Sequence, residues 1–216
     1  MTLKNYEACI FDLDGVLVDT AKYHFLAWKR LSEELNIEFT QKDNEKLKGV
    51  SRMDSLDIIL GLGNKGLSMD ERMILAEKKN NWYRSYIFKM DESEILPGAI
   101  ELLNILKGKG MKIGLGSASK NACTILKVTG LGKYFDTVID GNSVEKAKPD
   151  PEVFLKGAAA LGVENGRCVV FEDAIAGIEA AKRAGMLAIG VGKKEILSMA
   201  DYVVEDLIDF PMELIY

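Results

Sequence analysis

Cys9-Ile10-Phe11-Asp12-Leu13-Asp14-Gly15-Val16 decides how the rest of the chain is read. An apolar run that stops abruptly at two acids predicts a buried strand over 7–11 with a polar site at its end. Working outward, similar short apolar runs recur at 112–115, 137–139, 168–171, 187–191 and, more briefly, 202–204. Helical patterns separate them at 100–107, 122–128, 151–161 and 175–184, with Gly110 and Gly185 where a helix would stop. Near-continuous apolar strands alternating with helices predict a parallel sheet covered on both faces. The expected fold class is α/β, with a doubly wound, parallel-sheet, Rossmann-like core.

One segment breaks the alternation. From residue 18 to residue 90 there is no convincing strand, only helical spacing. Residues 20–35 place Tyr23, Leu26, Ala27, Leu31 and Leu35 mostly three or four apart, and 51–60 reads as a second helix. Ser68-Met69-Asp70-Glu71 is a capping-box pattern opening a third. A βα connection normally needs only about 2–6 residues. The block is therefore expected to be an inserted all-helical cap over 18–90, with 1–17 and 91–216 forming the core.

Composition excludes several classes. Of 216 residues, 48% are hydrophobic and 28% charged, which is ordinary for a globular protein. Lys and Arg number 28 against 33 Asp and Glu, a net charge of −5, so no basic footprint for nucleic acid exists. No run approaches the length of apolar sequence that a membrane span needs, and no leader pattern opens the chain, so the cytoplasm is the expected compartment. Cys9, Cys123 and Cys168 are odd in number and widely spaced, which indicates neither disulfides nor zinc. Nothing demands more than a monomer.

The acids carry the chemistry. Asp12 and Asp14 follow the first strand, and open α/β sheets bind ligands at the carboxyl ends of their strands. Two carboxylates two residues apart face the same way if the chain stays extended through Asp14. One can attack an electrophile or hold a cation while the other moves a proton. Glu172 and Asp173 end another apolar run and are expected on the same rim. Four carboxylates there would repel unless a cation sat among them, and Mg²⁺ suits such oxygen ligands. The plainer alternative makes Asp173 a helix cap. Gly116-Ser117-Ala118-Ser119 offers a hydroxyl and N–H groups to an anion, or else is only a serine-rich turn. Lys148 precedes a proline-started helix, where it neutralises a phosphate or the acids, unless it is simply a solvated surface lysine.

Asp12-x-Asp14, Ser117, Lys148 and Glu172-Asp173, in that order at strand ends, resemble the four motifs of the haloacid dehalogenase superfamily. The resemblance covers essentially the whole chain. It implies that Asp12 is the nucleophile that becomes an aspartyl-phosphate and that Asp14 is the general acid/base, its main-chain carbonyl also on the metal. Ser117 and Lys148 would hold the transferring group. Asp173, with Glu172 as a further candidate, would complete an Mg²⁺ site of Asp12, Asp14, Glu172 and Asp173. The acid at position 14 points to phosphate esters, because it can protonate a leaving oxygen and deprotonate an attacking one.

Within the cap, the runs from Asp19 to Trp28 and from Lys48 to Leu56, and the pair Lys79-Asn80, resemble the β-phosphoglucomutase subfamily, as does Gly116-Ser117-Ala118-Ser119-Lys120-Asn121 in the core. Gly116 and Phe171 depart from it, standing where Ala or another small residue is expected. The resemblance implies a sugar-phosphate substrate bound by His24, Gly49, Arg52, Lys79, Ser117, Ala118, Ser119 and Asn121. Arg52 would grip a distal phosphate through its forked cation, helped by Asn121 and Ser119. His24 would couple cap closure to Asp14, and Lys79 would bond the sugar or secure the closed cap. Trp28 and Trp82 are assigned to core packing and Lys78 to solvent. The implied reaction interconverts β-D-glucose 1-phosphate and glucose 6-phosphate. The core motifs equally suit a sugar-phosphate phosphatase, and a silent sugar-phosphate binder would be expected to have lost Asp12 or Asp14.

Overall fold

Alternate side chains of the first strand, β1 (Ala8–Phe11), leave for opposite faces of the sheet. Ala8 and Ile10 enter one apolar cluster, Cys9 and Phe11 another, and all four are fully buried. The same split occurs in β4 (Cys168–Glu172), where Val169 and Phe171 join Cys9 and Phe11 while Cys168 and Val170 face the other way. A strand apolar on both faces needs layers on both sides, which is the doubly wound arrangement. The computed structural model describes residues 5–208 and 210–211, so the outermost parts of the expected core, 1–4 and 212–216, lie outside the described residues together with 209.

The sheet adds β2 (Lys112–Gly116), β3 (Thr137–Ile139), β5 (Leu187–Val191) and β6 (Tyr202–Val204). Its order is β3-β2-β1-β4-β5-β6, with every pairing parallel. This order reverses direction at β1, so a crevice opens beyond the ends of β1, β2 and β4. The covering helices are α5 (Ala99–Gly108), α6 (Ala122–Val128), α7 (Glu152–Leu161) and α8 (Ile175–Arg183), counting after the four below.

Between β1 and α5 run α1 (Ala21–Glu34), α2 (Gln41–Glu45), α3 (Arg52–Leu62) and α4 (Met69–Ile87). They close around an apolar cluster of their own, which includes Trp28, Leu31, Phe39, Leu56 and Ile59. The capping box expected for α4 is present: Ser68 Oγ accepts from Glu71 N, and Glu71 accepts from Ser68 N at 2.8 Å. The short α2 was not anticipated, although Thr40 and Asp43 form a reciprocal cap there too. Trp28 packs in this cluster as expected and also lines the cleft below. No helix among the described residues is long and apolar enough to cross a membrane.

Candidate active site

Register brings the acids together. Phe11 pairs with Leu115 on one side and Phe171 on the other, and the Phe11 and Phe171 rings stack with centroids 4.4 Å apart. The next residues of each strand therefore emerge on one rim. Asp12 N donates to Phe171 O at 2.9 Å, and Ser117 N donates to Ile139 O at 3.0 Å. Beyond Asp12 the chain does not stay extended. It turns at Gly15 (φ +82°), and Val18 N donates back to Leu13 O at 3.1 Å. Both carboxylates nevertheless reach the same cavity, which measures about 720 Å³.

Lys148 arrives from the loop before α7. Its Nζ lies 2.5 Å from Asp12 Oδ1 and 2.6 Å from Glu172 Oε1, and the residue is only 3% exposed. Burial alone would depress the ammonium pKa, but the two carboxylates outweigh it and the net shift is upward. This lysine is no surface residue. It is the cation that keeps two buried acids together.

Glu172 departs from its expected place. Still inside β4, it directs its carboxylate to Lys148 and accepts from Ala174 N at 2.8 Å. It does not line the cavity. Burial pushes its pKa up to about 7, opposed by Lys148. Glu172, rather than Asp173, receives the N–H at the start of α8, which disposes of the helix-cap alternative for Asp173. Asp12, Asp14 and Asp173 thus share the cavity without Glu172, and among the described residues no three His, Cys, Asp or Glu side chains form a metal-holding group.

Asp14 and Asp173 do line the cavity. Burial first, and the charge of Asp12 second, raise Asp14 to about 6. The Thr20 hydroxyl donates to Asp14 Oδ1 and opposes that rise. Thr20 precedes α1 in the N-cap position with a helical backbone (φ −100°, ψ −7°) and makes no capping bond; its hydroxyl donates to Asp14. Asp173 is raised by burial and then by the charges of Glu172 and Asp12, while Lys48 Nζ stands 3.7 Å from it.

The cap supplies cations opposite these acids. Lys79, 3% exposed, places Nζ 3.1 Å from His24 Nδ1 and 4.3 Å from the Trp28 ring centroid. Burial lowers both the Lys79 and His24 pKa values, and the nearby Arg52 lowers each further. A neutral His24 can accept the Lys79 proton donor. Arg52, at the start of α3, holds Glu77 at 3.3 Å. Lys78 pairs with Glu34 on the surface, as its expected exposure requires. Gly49 (φ +72°) sits where a Cβ would come within 2.9 Å of Ala174 Cβ, so the cap loop touches the core there.

Every residue nominated from sequence lines this one cavity, apart from Glu172: Asp12, Asp14, Ser117, Lys148 and Asp173 with Ala118, Ser119 and Asn121 from the core, and His24, Gly49, Arg52 and Lys79 from the cap. Thr20, Lys48, Asn80 and Tyr83 line it without having been nominated. The i, i+4 spacing of Lys79 and Tyr83 along α4 was the available signal for the last. Gly116 and Phe171 do not line it. A Cβ on Gly116 would come within 2.9 Å of the Phe154 ring, so both departures from the subfamily concern core packing.

The pattern of the haloacid dehalogenase-like hydrolases matches residues 6–185. The chain belongs to that family. Its relatives include the β-phosphoglucomutase of Bacillus subtilis, 44% identical over 97% of this chain and 94% of that protein. A phosphorylated carbohydrates phosphatase of Thermotoga maritima is 34% identical over 83% of this chain and 82% of its own. Among solved structures, β-phosphoglucomutase from Clostridium difficile superposes with a TM-score of 0.92 at 45% identity, covering 96% of this chain and 94% of that one.

Phosphomutases of this family generally use Mg²⁺, and the residues present fit a divalent cation. Asp12 and Asp173 offer carboxylates, and Gly15 packs so tightly on Asp173 that a Cβ there would overlap its carboxylate. The main-chain carbonyl of Asp14 adjoins that glycine. Hard oxygen donors with one or two carboxylates are the set Mg²⁺ prefers, the remainder coming from water and substrate phosphate.

Proposed function

We propose that the chain interconverts β-D-glucose 1-phosphate and glucose 6-phosphate through phospho-Asp12 and β-glucose 1,6-bisphosphate. The observation that carries this reading is a cavity with cations on both its core and its cap walls. Asp12 and Lys148 line it from the core, and Arg52 and Lys79 line the same volume of about 720 Å³ from the inserted helices. A phosphatase needs an anion site only at the reacting end. A mutase must hold a sugar carrying phosphate at either end.

Asp12 attacks phosphorus and carries the phosphoryl group. Lys148, held against Asp12 and Glu172, offsets charge on the transferring oxygens, and the Ser117 hydroxyl bonds one of them. Asp12, Asp173 and the Asp14 carbonyl would hold Mg²⁺, which would supply further positive charge at the transferring phosphate. Asp14 gives a proton to the departing sugar oxygen and takes one from the attacking hydroxyl. A carboxyl raised to about 6 suits both directions near neutral pH. Arg52, with Ser119 and Asn121, grips the distal phosphate. Residues 18–90 act as a cap that closes over the sugar. His24 and Lys79 link closure to Asp14, and exclusion of water steers the phosphoryl group to sugar. Preferring sugar 100-fold requires only about 2.7 kcal/mol of barrier difference.

The test supplies purified protein with Mg²⁺, β-glucose 1-phosphate and a trace of the 1,6-bisphosphate, and follows glucose 6-phosphate and free phosphate together. Rapid glucose 6-phosphate with little free phosphate is expected. Free phosphate without glucose 6-phosphate would make the chain a sugar-phosphate phosphatase and remove the role given to Arg52.

A further inference from the structure

Among the described residues, two buried side-chain polar atoms lack a hydrogen-bond partner: Arg72 Nε and Tyr83 Oη. Arg72 has its other nitrogens, one of them 3.0 Å from Asp57 on the outside of the cap. Tyr83 has one polar atom, is 1% exposed, and lines the cavity.

The ring is held from two sides. The His24 ring centroid lies 4.1 Å away, and Lys79 Nζ lies 4.8 Å from the Tyr83 centroid. A fixed ring fixes its hydroxyl, because a phenol oxygen lies on the ring axis. The Thr20 and Ser119 hydroxyls are close enough to influence it, yet neither makes a well-formed hydrogen bond to it. Thr20 has committed its proton to Asp14, and Ser119 Oγ accepts from Asn121 N at 3.2 Å. Tyr83 also feels the charge of Asp14 and that of Arg52. Tyr83 thus lines the same cavity as Asp14 and Arg52, where the body of a sugar gripped at both ends would lie.

We propose that Tyr83 Oη hydrogen-bonds a ring hydroxyl of the bound sugar and so sets which sugars the site accepts. The proposal rests on the two-ended substrate reading above. A phenol both donates and accepts, so it can meet a hydroxyl in either role. A buried hydroxyl without a partner is destabilising, and a sugar hydroxyl removes that penalty. A site built this way rejects an analogue lacking the hydroxyl more strongly than an apolar wall would, because the analogue leaves the phenol unpaired.

Tyr83→Phe keeps the ring and its packing while deleting the one atom in question. Wild type and variant, both with Mg²⁺, are compared on β-glucose 1-phosphate and its 2-, 3- and 4-deoxy analogues, with kcat and KM separated and both isomerised product and free phosphate followed. On the parent sugar the variant is expected to lose roughly 3- to 10-fold in kcat/KM, the size of one neutral hydrogen bond. At one deoxy position wild type should lose as much or more, while the variant loses nothing further. Equal further losses in both proteins at all three positions would overturn the proposal, leaving Tyr83 as cap packing only. Unchanged kcat/KM for the variant on the parent would overturn it too. Were the variant not to fold, a wild type that turned over all three analogues as well as the parent would do the same. Release of phosphate in place of isomerised product would instead sink the mutase reading, and the comparison read from phosphate would still decide Tyr83.

Discussion

Asn121 Nδ2 donates to Asn80 Oδ1 at 3.0 Å, joining the core to α4 across the mouth of the cavity. Asn80 Nδ2 reaches Glu77 at 3.5 Å, and Glu77 holds Arg52 at 3.3 Å. Arg52 and Asn121, the two groups assigned to the distal phosphate, are therefore linked through cap residues before any phosphate arrives. On the proposed reading, a phosphate entering there would take over donors that Glu77 and Asn80 engage.

Removing this link should loosen closure without unfolding the cap. Asn80→Ala deletes a bond of about 0.5–1.5 kcal/mol. Free phosphate released per glucose 6-phosphate formed should then rise roughly 2- to 10-fold, with a thermal midpoint close to that of wild type. An unchanged product ratio would mean that the bond does not help to exclude water.

Arg52→Ala should separate the two ends of the cavity. Charge-assisted hydrogen bonds contribute about 1.5–3 kcal/mol, so kcat/KM for β-glucose 1-phosphate should fall roughly 10- to 150-fold. Hydrolysis of a phosphate ester without a second anion should change little. Equal losses on both substrates would place Arg52 outside the distal site.

Gly116 is required by its neighbour. A Cβ at 116 would come within 2.9 Å of Phe154 and 3.1 Å of Ile10. Gly116→Ala is expected to destabilise by about 1–3 kcal/mol through overpacking, seen as a lower urea midpoint. Phe154→Leu in the same chain should recover part of that loss, and KM should stay put, because residue 116 does not face the cavity.

Acid should expose the cap of α2. Hydrogen bonds from Thr40, then from Lys46, hold the Asp43 pKa at about 2, below its ordinary value. A depressed carboxylate contributes stability above its unfolded pKa of about 3.9 and loses it as pH falls through the folded value. Asp43→Asn should therefore melt below wild type at pH 7, and the gap should close between about pH 4 and pH 2. A gap independent of pH would show that charge at Asp43 is not what matters.

The order of strands and helices was legible because its signals are local. Each strand is an apolar run of a few residues, and α4 announces itself through Ser68 and Glu71, three positions apart. The helix α2 was missed because its five residues, Gln41–Glu45, have no apolar face to create a period. Its only mark was Thr40 with Asp43, a capping pair too short-range to claim a helix by itself.

The site was legible in its residue types and less so in their partners. Glu172 and Asp173 look equivalent as neighbouring acids. In the fold, Glu172 is the last residue of β4, and successive side chains of a strand face opposite sides. One is therefore turned under the sheet rim to Lys148 while the other, past the strand end, meets the cavity. Thr20 precedes α1, and only the fold shows that its hydroxyl goes to Asp14.

By itself the sequence determined the α/β alternation, the inserted helices and the presence of paired acids, a serine, a lysine and further cations in a telling order. Those are properties of spacing within a few residues, where backbone geometry alone sets which side chains share a face. Only the tertiary structure decided that Lys148 bridges Asp12, 136 residues away, and that Tyr83 brings an unpartnered hydroxyl to the cavity that Asp14 and Arg52 also line. Such partners are set by sheet register and by how the cap packs on the core, which involve many distant contacts at once and leave no periodic trace in the chain.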